Sequence, residues 1–200
     1  MAGAVTDLIE RTGLFRVPFG AATSRAAGLP RSTWGTAVAH FGVGVTLLGI
    51  VGETQWGAER IAALKPGDTV SIRHYDLTFD NVAPRAGPNY QELIGKFTVR
   101  RNGEVLGIME PGKRTFPTRQ MTTTEAALMT RGTSQLYLSL GDTDPQGATA
   151  VRIYHKPLVL LIWIGAVVMM AGGALSLSDR RLRVGAPRPA RAKPVLQAAE

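Results

Sequence analysis

Residues 33–52 read TWGTAVAHFGVGVTLLGIVG. These 20 positions carry no formal charge. As a helix they reach about 30 Å, roughly the hydrocarbon thickness of a bilayer. Trp34 and Trp56 bracket the stretch, as amphipathic rings do at the two membrane interfaces. Gly35, Gly42, Gly44, Gly49 and Gly52 are unfavourable in a water-exposed helix, yet small residues let a neighbouring helix or a flat ligand come close. The competing reading is a core helix of a soluble domain. Length, the charge-free run and the flanking tryptophans together favour a membrane span.

Working outward, residues 158–177 read LVLLIWIGAVVMMAGGALSL and form a second charge-free stretch. Lys156-Pro157 precedes it and Ser178-Asp179-Arg180-Arg181 follows. Two transmembrane α-helices are therefore expected, at 33–52 and 158–177. The net charge of +8 is unevenly placed. Segment 1–32 holds Arg11, Arg16, Arg25 and Arg31 against Asp7 and Glu10. The tail, 178–200, holds six basic residues against two acidic ones, and the 53–157 segment holds 13 against 11. Most of the excess thus lies in two short flanks beside the spans. That pattern places both flanks in the cytoplasm and residues 53–157 outside it. No basic stripe interleaved with aromatics is present, so nucleic acid is not an expected partner.

In 1–32, Val5, Leu8, Ile9 and Thr12 fall at helical spacing and allow about two turns of amphipathic helix. Gly13, Pro18, Gly20, Gly28 and Pro30 are then expected to break any regular element. Neither a positive leader region nor an uninterrupted apolar core of a signal peptide is found here. The proline- and arginine-rich tail is expected to be disordered. The chain has no cysteine, which excludes disulfides, thiolate metal sites and cysteine nucleophiles.

Between the spans, strand-like alternation runs through 69–73, 75–79, 96–100, 104–108, 135–140 and 150–154. Lys65-Pro66-Gly67-Asp68 and Asn102-Gly103 supply turns, the latter of the type I′ hairpin kind. Residues 120–130 (QMTTTEAALMT) read as a short helix or a loop. The fold class is a small extracytoplasmic all-β domain, barrel or sandwich, flanked by two transmembrane helices. Little chemistry is legible in it. Asp142 and Asp144 lack the further oxygen ligands of a calcium loop and read as a solvated turn. Thr122-Thr123-Thr124 with Glu125 suggests a helix cap rather than a nucleophile. His74, placed in a strand, and His155, before the second span, read as structural or interfacial side chains. By itself the domain reads as a binding or scaffolding module.

His40 is the only ionisable side chain in either span. An imidazole in hydrocarbon without a partner is costly, so its default reading is functional. Three roles are open: an axial haem ligand, a member of a proton relay, or a hydrogen-bonded packing residue between helices. Thr36, Ala37, Val43 and Gly44 lie three or four positions away on its face. Small neighbours leave room for a macrocycle and equally for tight helix packing. One histidine fills one axial position, so a six-coordinate haem needs a second ligand from another helix or chain.

The stretch WGTAVAHFGVGVTLLGIVGE (34–53) resembles the penultimate helix of the CcmF family, the membrane haem lyase component of bacterial cytochrome c maturation. Leu64-Lys65-Pro66-Gly67-Asp68, Gly87-Pro88-Asn89-Tyr90, Glu110-Pro111-Gly112-Lys113-Arg114, Thr124-Glu125-Ala126, residues 151–157 (VRIYHKP) and Asp179-Arg180-Arg181 are similar to that family in the same order. The likeness covers roughly residues 33–183 and only the C-terminal portion of the family. It implies that His40 matches one of two transmembrane histidines that bind a b-type haem, thought to keep the incoming haem iron reduced. The implied partners are the rest of the lyase, other maturation subunits, apocytochrome c and a haem-delivery chaperone, at the bacterial inner membrane with residues 53–157 periplasmic. The family's tryptophan-rich segment, external histidines and second transmembrane histidine have no counterpart in this sequence. Catalysis by the isolated chain is therefore not expected, and a fragment, a truncated product or one piece of a split lyase are all open. The alternative is a non-catalytic, membrane-anchored scaffold without haem.

Overall fold

The computed structural model describes residues 2–179. Among the described residues, four helices, α1 (Ala2–Thr12), α2 (Phe19–Gly28), α3 (Arg31–Trp56) and α4 (Val159–Leu177), flank ten strands in sequence. These are β1 (Ala58–Leu64), β2 (Thr69–Ile72), β3 (Tyr75–Ala86), β4 (Gln91–Arg101), β5 (Glu104–Met109), β6 (Gly112–Phe116), β7 (Met121–Glu125), β8 (Ala127–Arg131), β9 (Ser134–Thr143) and β10 (Thr149–Lys156). The chain divides into two compact units, one built from the chain up to Val43 plus the segment from Ala166, the other Gly44–Gly165. The expectation of a disordered tail falls almost wholly outside the described residues.

In the first unit, α1 carries an Arg11–Asp7 ion pair one turn apart (2.9 Å). The expectation that prolines and glycines suppress regular structure after Gly13 is corrected, because α2 forms there. Pro18 stands just before its first turn and Gly28 at its last, positions where these residues bound a helix rather than break one. Trp34 Nε1 donates to the Ala26 carbonyl (3.2 Å). Asp179 is buried and its carboxylate accepts the Ser32 amide (3.1 Å), so the end of α4 caps the start of α3. A methyl group on Gly35 would collide with the Ser176 backbone and come 2.6 Å from the Gly172 carbonyl oxygen. The glycines here let two helix backbones touch.

In the second unit the same device recurs. A Cβ on Gly49 would lie 2.8 Å from the Ile162 amide nitrogen, and one on Gly52 2.7 Å from a Leu158 methyl. Both α3 and α4 are long and apolar enough to cross a membrane by length and composition. Gly57 alone joins α3 to β1, and Pro157-Leu158 join β10 to α4.

The strands form two antiparallel sheets, β1-β10-β9-β8 and β2-β3-β4-β6-β7, with β5 paired to β4. Inward alternation comes from Tyr75, Leu77 and Phe79 on β3, Phe97 and Val99 on β4, Leu136, Leu138 and Leu140 on β9, and Val151 and Ile153 on β10. Phe79 stacks on Phe97 with ring centres 4.6 Å apart. Each such side chain contributes roughly 1.5–3 kcal/mol by leaving water. The expected domain is thus a sandwich, and its six expected strands are all present. Residues 120–130 are corrected from helix or loop to β7 and β8, so the threonine run pairs with β6 and caps no helix. Threonine's branched Cβ favours the pleated surface of a strand, and no helical apolar stripe opposes it. His74 is also corrected: it lies in the two-residue turn between β2 and β3.

Up-and-down tracing gives the sandwich two distinct ends. Turns 73–74, 102–103 and 132–133 lie at the end where α3 enters and α4 leaves. Loops 65–68, 87–90, 117–120 and 144–148 lie at the far end. Asn102 (φ 51°) and Gly103 (φ 83°) are both left-handed, as the type I′ hairpin requires.

Candidate functional site

His40 lies on the exposed side of α3, whereas Gly35 and Gly42 on the same helix are buried. Its Nδ1 is 2.8 Å from the Thr36 carbonyl oxygen, which can only accept. The hydrogen therefore sits on Nδ1, and in the neutral ring the Nε2 lone pair is left free. This arrangement matches a metal-ligating histidine whose other nitrogen is fixed by a backbone carbonyl. It fits a haem iron at Nε2. Of the small neighbours, Gly44 remains one turn along from the ring, while Gly35, Gly49 and Gly52 serve helix packing.

The other expected residues separate. Asp142 is ion-paired to Lys113. Asp144 accepts the Ala148 amide (2.7 Å) and closes the 144–148 turn. Among the described residues no group of three or more His, Asp or Glu side chains could hold a metal ion. Glu125 pairs with Arg114 (3.2 Å).

Two clusters were not legible in the sequence. At the far end of the sandwich, Glu92 is buried, its carboxylate 2 % exposed. One oxygen accepts both Nη2 (2.8 Å) and Nε (3.1 Å) of Arg85, and the other accepts Arg114 Nε (3.0 Å). Arg114 also lies over the Tyr90 ring at 4.6 Å. Gly112 must be glycine-sized, since a Cβ would come 2.6 Å from the Glu92 carboxylate. Tyr90, Gly112 and Arg114 fall in the Gly87–Tyr90 and Glu110–Arg114 stretches and Arg85 and Glu92 flank the first of them, so the motifs help build an ion network around buried Glu92 across β3, β4 and β6.

At the helix end, Arg73 donates from Nη2 to the carbonyls of Trp56 (3.2 Å) and Gly57 (3.4 Å). The His155 ring packs on Tyr75 (5.7 Å), and Arg101 lies over the same Tyr75 ring at 5.8 Å. His155 Nδ1 is buried with no hydrogen-bond partner. Burial, and then the charges of Arg73, His74 and Arg101, hold the His155 pKa below its ordinary value. Beside it, a hydrogen bond to Glu59 and burial push Tyr154 up. The exposed turn position of Arg73 and its φ of 53° carry no sequence signature beyond the neighbouring alternation.

An antiparallel sandwich carried between two long apolar helices, one of them bearing a lone outward histidine, defines a helix-anchored β-domain protein. Residues 55–157 match the family described as CcmF C-terminal beta-sandwich. The chain belongs to the CcmF family and corresponds to its C-terminal portion. It is 62% identical over 200 residues to the cytochrome c-type biogenesis protein CycK of Bradyrhizobium diazoefficiens, covering all of this chain and 30% of that protein. It is 38% identical over 160 residues to CcmF of Escherichia coli, covering 80% of this chain and 25% of the relative. The solved structure titled Cytochrome c Heme Lyase CcmF shares the fold, with a TM-score of 0.61 at 20% identity over 74% of this chain and 25% of that one. The chain thus spans less than a third of the length of the curated relatives it matches.

Proposed function

We propose that this chain is the C-terminal part of a CcmF-type haem lyase, acting in the covalent attachment of haem to apocytochrome c, and that His40 is one axial ligand of a membrane b-type haem. The observation that carries the reading is the His40 ring: set in an apolar helix, turned outward, with Nδ1 committed to the Thr36 carbonyl and Nε2 free. Bound there, a haem supplies one-electron chemistry. The protein's part is to fix the imidazole plane and tautomer through Thr36 and to keep the ring in an apolar surround. A second haem-binding histidine would be supplied by the rest of the lyase. The sandwich serves as an interaction domain for that portion, for other maturation subunits, and for apocytochrome c and the haem-delivery chaperone.

The proposed setting is the bacterial inner membrane, with the 1–32 and 178–200 flanks cytoplasmic and residues 53–157 periplasmic, supported by the charge placed beside the two apolar helices. The test is co-expression of the chain with the N-terminal part of a relative. The purified complex should show a b-type haem spectrum that His40→Ala removes or strongly weakens. An unchanged spectrum and haem content in that variant would remove the ligand assignment. Loss of haem from every preparation would favour a scaffold. Reporter fusions at residue 100 should be active outside the cytoplasm and those beyond residue 185 inside, and the reverse pattern would overturn the topology.

A further inference from the structure

The cations at the two ends of the sandwich are handled differently. At the far end Arg85, Arg114 and Lys113 each meet a carboxylate. At the helix end no ion-pair partner is found among the described residues for Arg73, Arg101, Arg131 or Lys156. The carboxylates there are Glu53, Glu59, Asp76 and Glu104; Glu59 is engaged by Arg152 (3.3 Å) and Asp76 accepts the Ser71 hydroxyl (2.6 Å). Arg73 also occupies a left-handed turn position that disfavours any residue with a Cβ. Glycine would fit that turn at no steric cost, so its side chain, not its backbone, accounts for arginine here. Its guanidinium touches the last residue of α3, which fixes its depth at the end of the apolar helix. Exposed Trp56 lies at the same level. The orphaned His155 Nδ1 and the Tyr75 ring that supports Arg101 complete a cationic, aromatic-backed rim.

We propose that this rim, with Arg73, His74 and Arg101 as its donors, binds the phosphate of an anionic phospholipid headgroup at the membrane surface. The inference rests on the membrane reading above. Guanidinium groups pair with phosphate through several N–H donors at once, and the headgroup layer begins where the apolar helix stops. Burial first, and then the charges of Arg73, His74 and Arg101, lower the proton affinity of His155, which places all three groups near its ring.

The full chain is purified in detergent, mixed with phosphatidylcholine vesicles with or without phosphatidylglycerol, and floated. Lipid retention is then measured by native mass spectrometry. The protein should float with neutral vesicles and retain phosphatidylglycerol in preference to phosphatidylcholine. Arg73→Gly keeps the left-handed turn while removing the guanidinium, and Arg101→Gln keeps a polar side chain. Each should lower that preference roughly fivefold, the double variant more. Arg119→Gln, in a far-end loop, should leave it unchanged. Equal retention of the two lipids, or a double variant as selective as the parent, would overturn the inference while flotation upholds the membrane reading. Failure to float with either vesicle would overturn both.

Discussion

On the far-end strands Arg85, Lys113 and Arg114 meet carboxylates, whereas Arg73 and Arg101 at the helix end have no ion-pair partner among the described residues. At the far end a carboxylate is withdrawn from water and compensated by two arginines from neighbouring strands. At the other, arginines sit over an aromatic ring or against backbone carbonyls and keep donors to spare. A buried ion network is costly to break and fixes strand register, whereas unpaired surface cations add little stability and remain available to a ligand. The contrast sets a carboxylate held by two arginines at one end against unengaged donors at the other, and the proposed lipid contact rests on it.

The largest effect should come from stripping Glu92 of both donors. Arg85→Ala with Arg114→Ala leaves a buried carboxylate unpaired, and should cost about 3–5 kcal/mol in denaturant unfolding of the detergent-solubilised chain. Arg101→Ala in the same assay should change stability by less than about 0.5 kcal/mol. Equal losses at both ends would erase the distinction. A smaller effect concerns pH. The folded His155 has a lower pKa than its ordinary value of 6.5, so as pH falls below that value the unfolded chain takes up the proton first. The contribution of His155 is full above about pH 6.5 and should decline as the pH falls below it. His155→Phe keeps a ring on Tyr75, and the parent's decline over that range should be steeper than the variant's. Matching pH profiles would show that burial and the neighbouring cations do not hold His155 neutral in the fold.

How much of this was legible in advance depended on where the partners lie. Five of the six expected strands bury one full face, as in Leu136-Tyr137-Leu138, while β5 was read from alternation alone, its Val105 and Ile108 being exposed. β1 and β6–β8 were not legible: β1 alternates Arg60 and Ile61 with alanines, and β7 is threonine-rich. Asn102-Gly103 disclosed its hairpin because its conformational requirement is local. α2 was missed because Pro18 and Gly28 were read as breakers when they mark its boundaries. His40 stood out as a polar residue in an apolar run, but its tautomer depends on the Thr36 carbonyl, which only the helix brings into place. Glu92 gave no signal, since its donors are 7 and 22 residues away on other strands.

The junctions carry a mechanical consequence. One residue, Gly57, links α3 to β1, and two link β10 to α4, while Arg73 straps the β2–β3 turn to the end of α3. Torque applied to the sandwich therefore has almost no slack in which to dissipate.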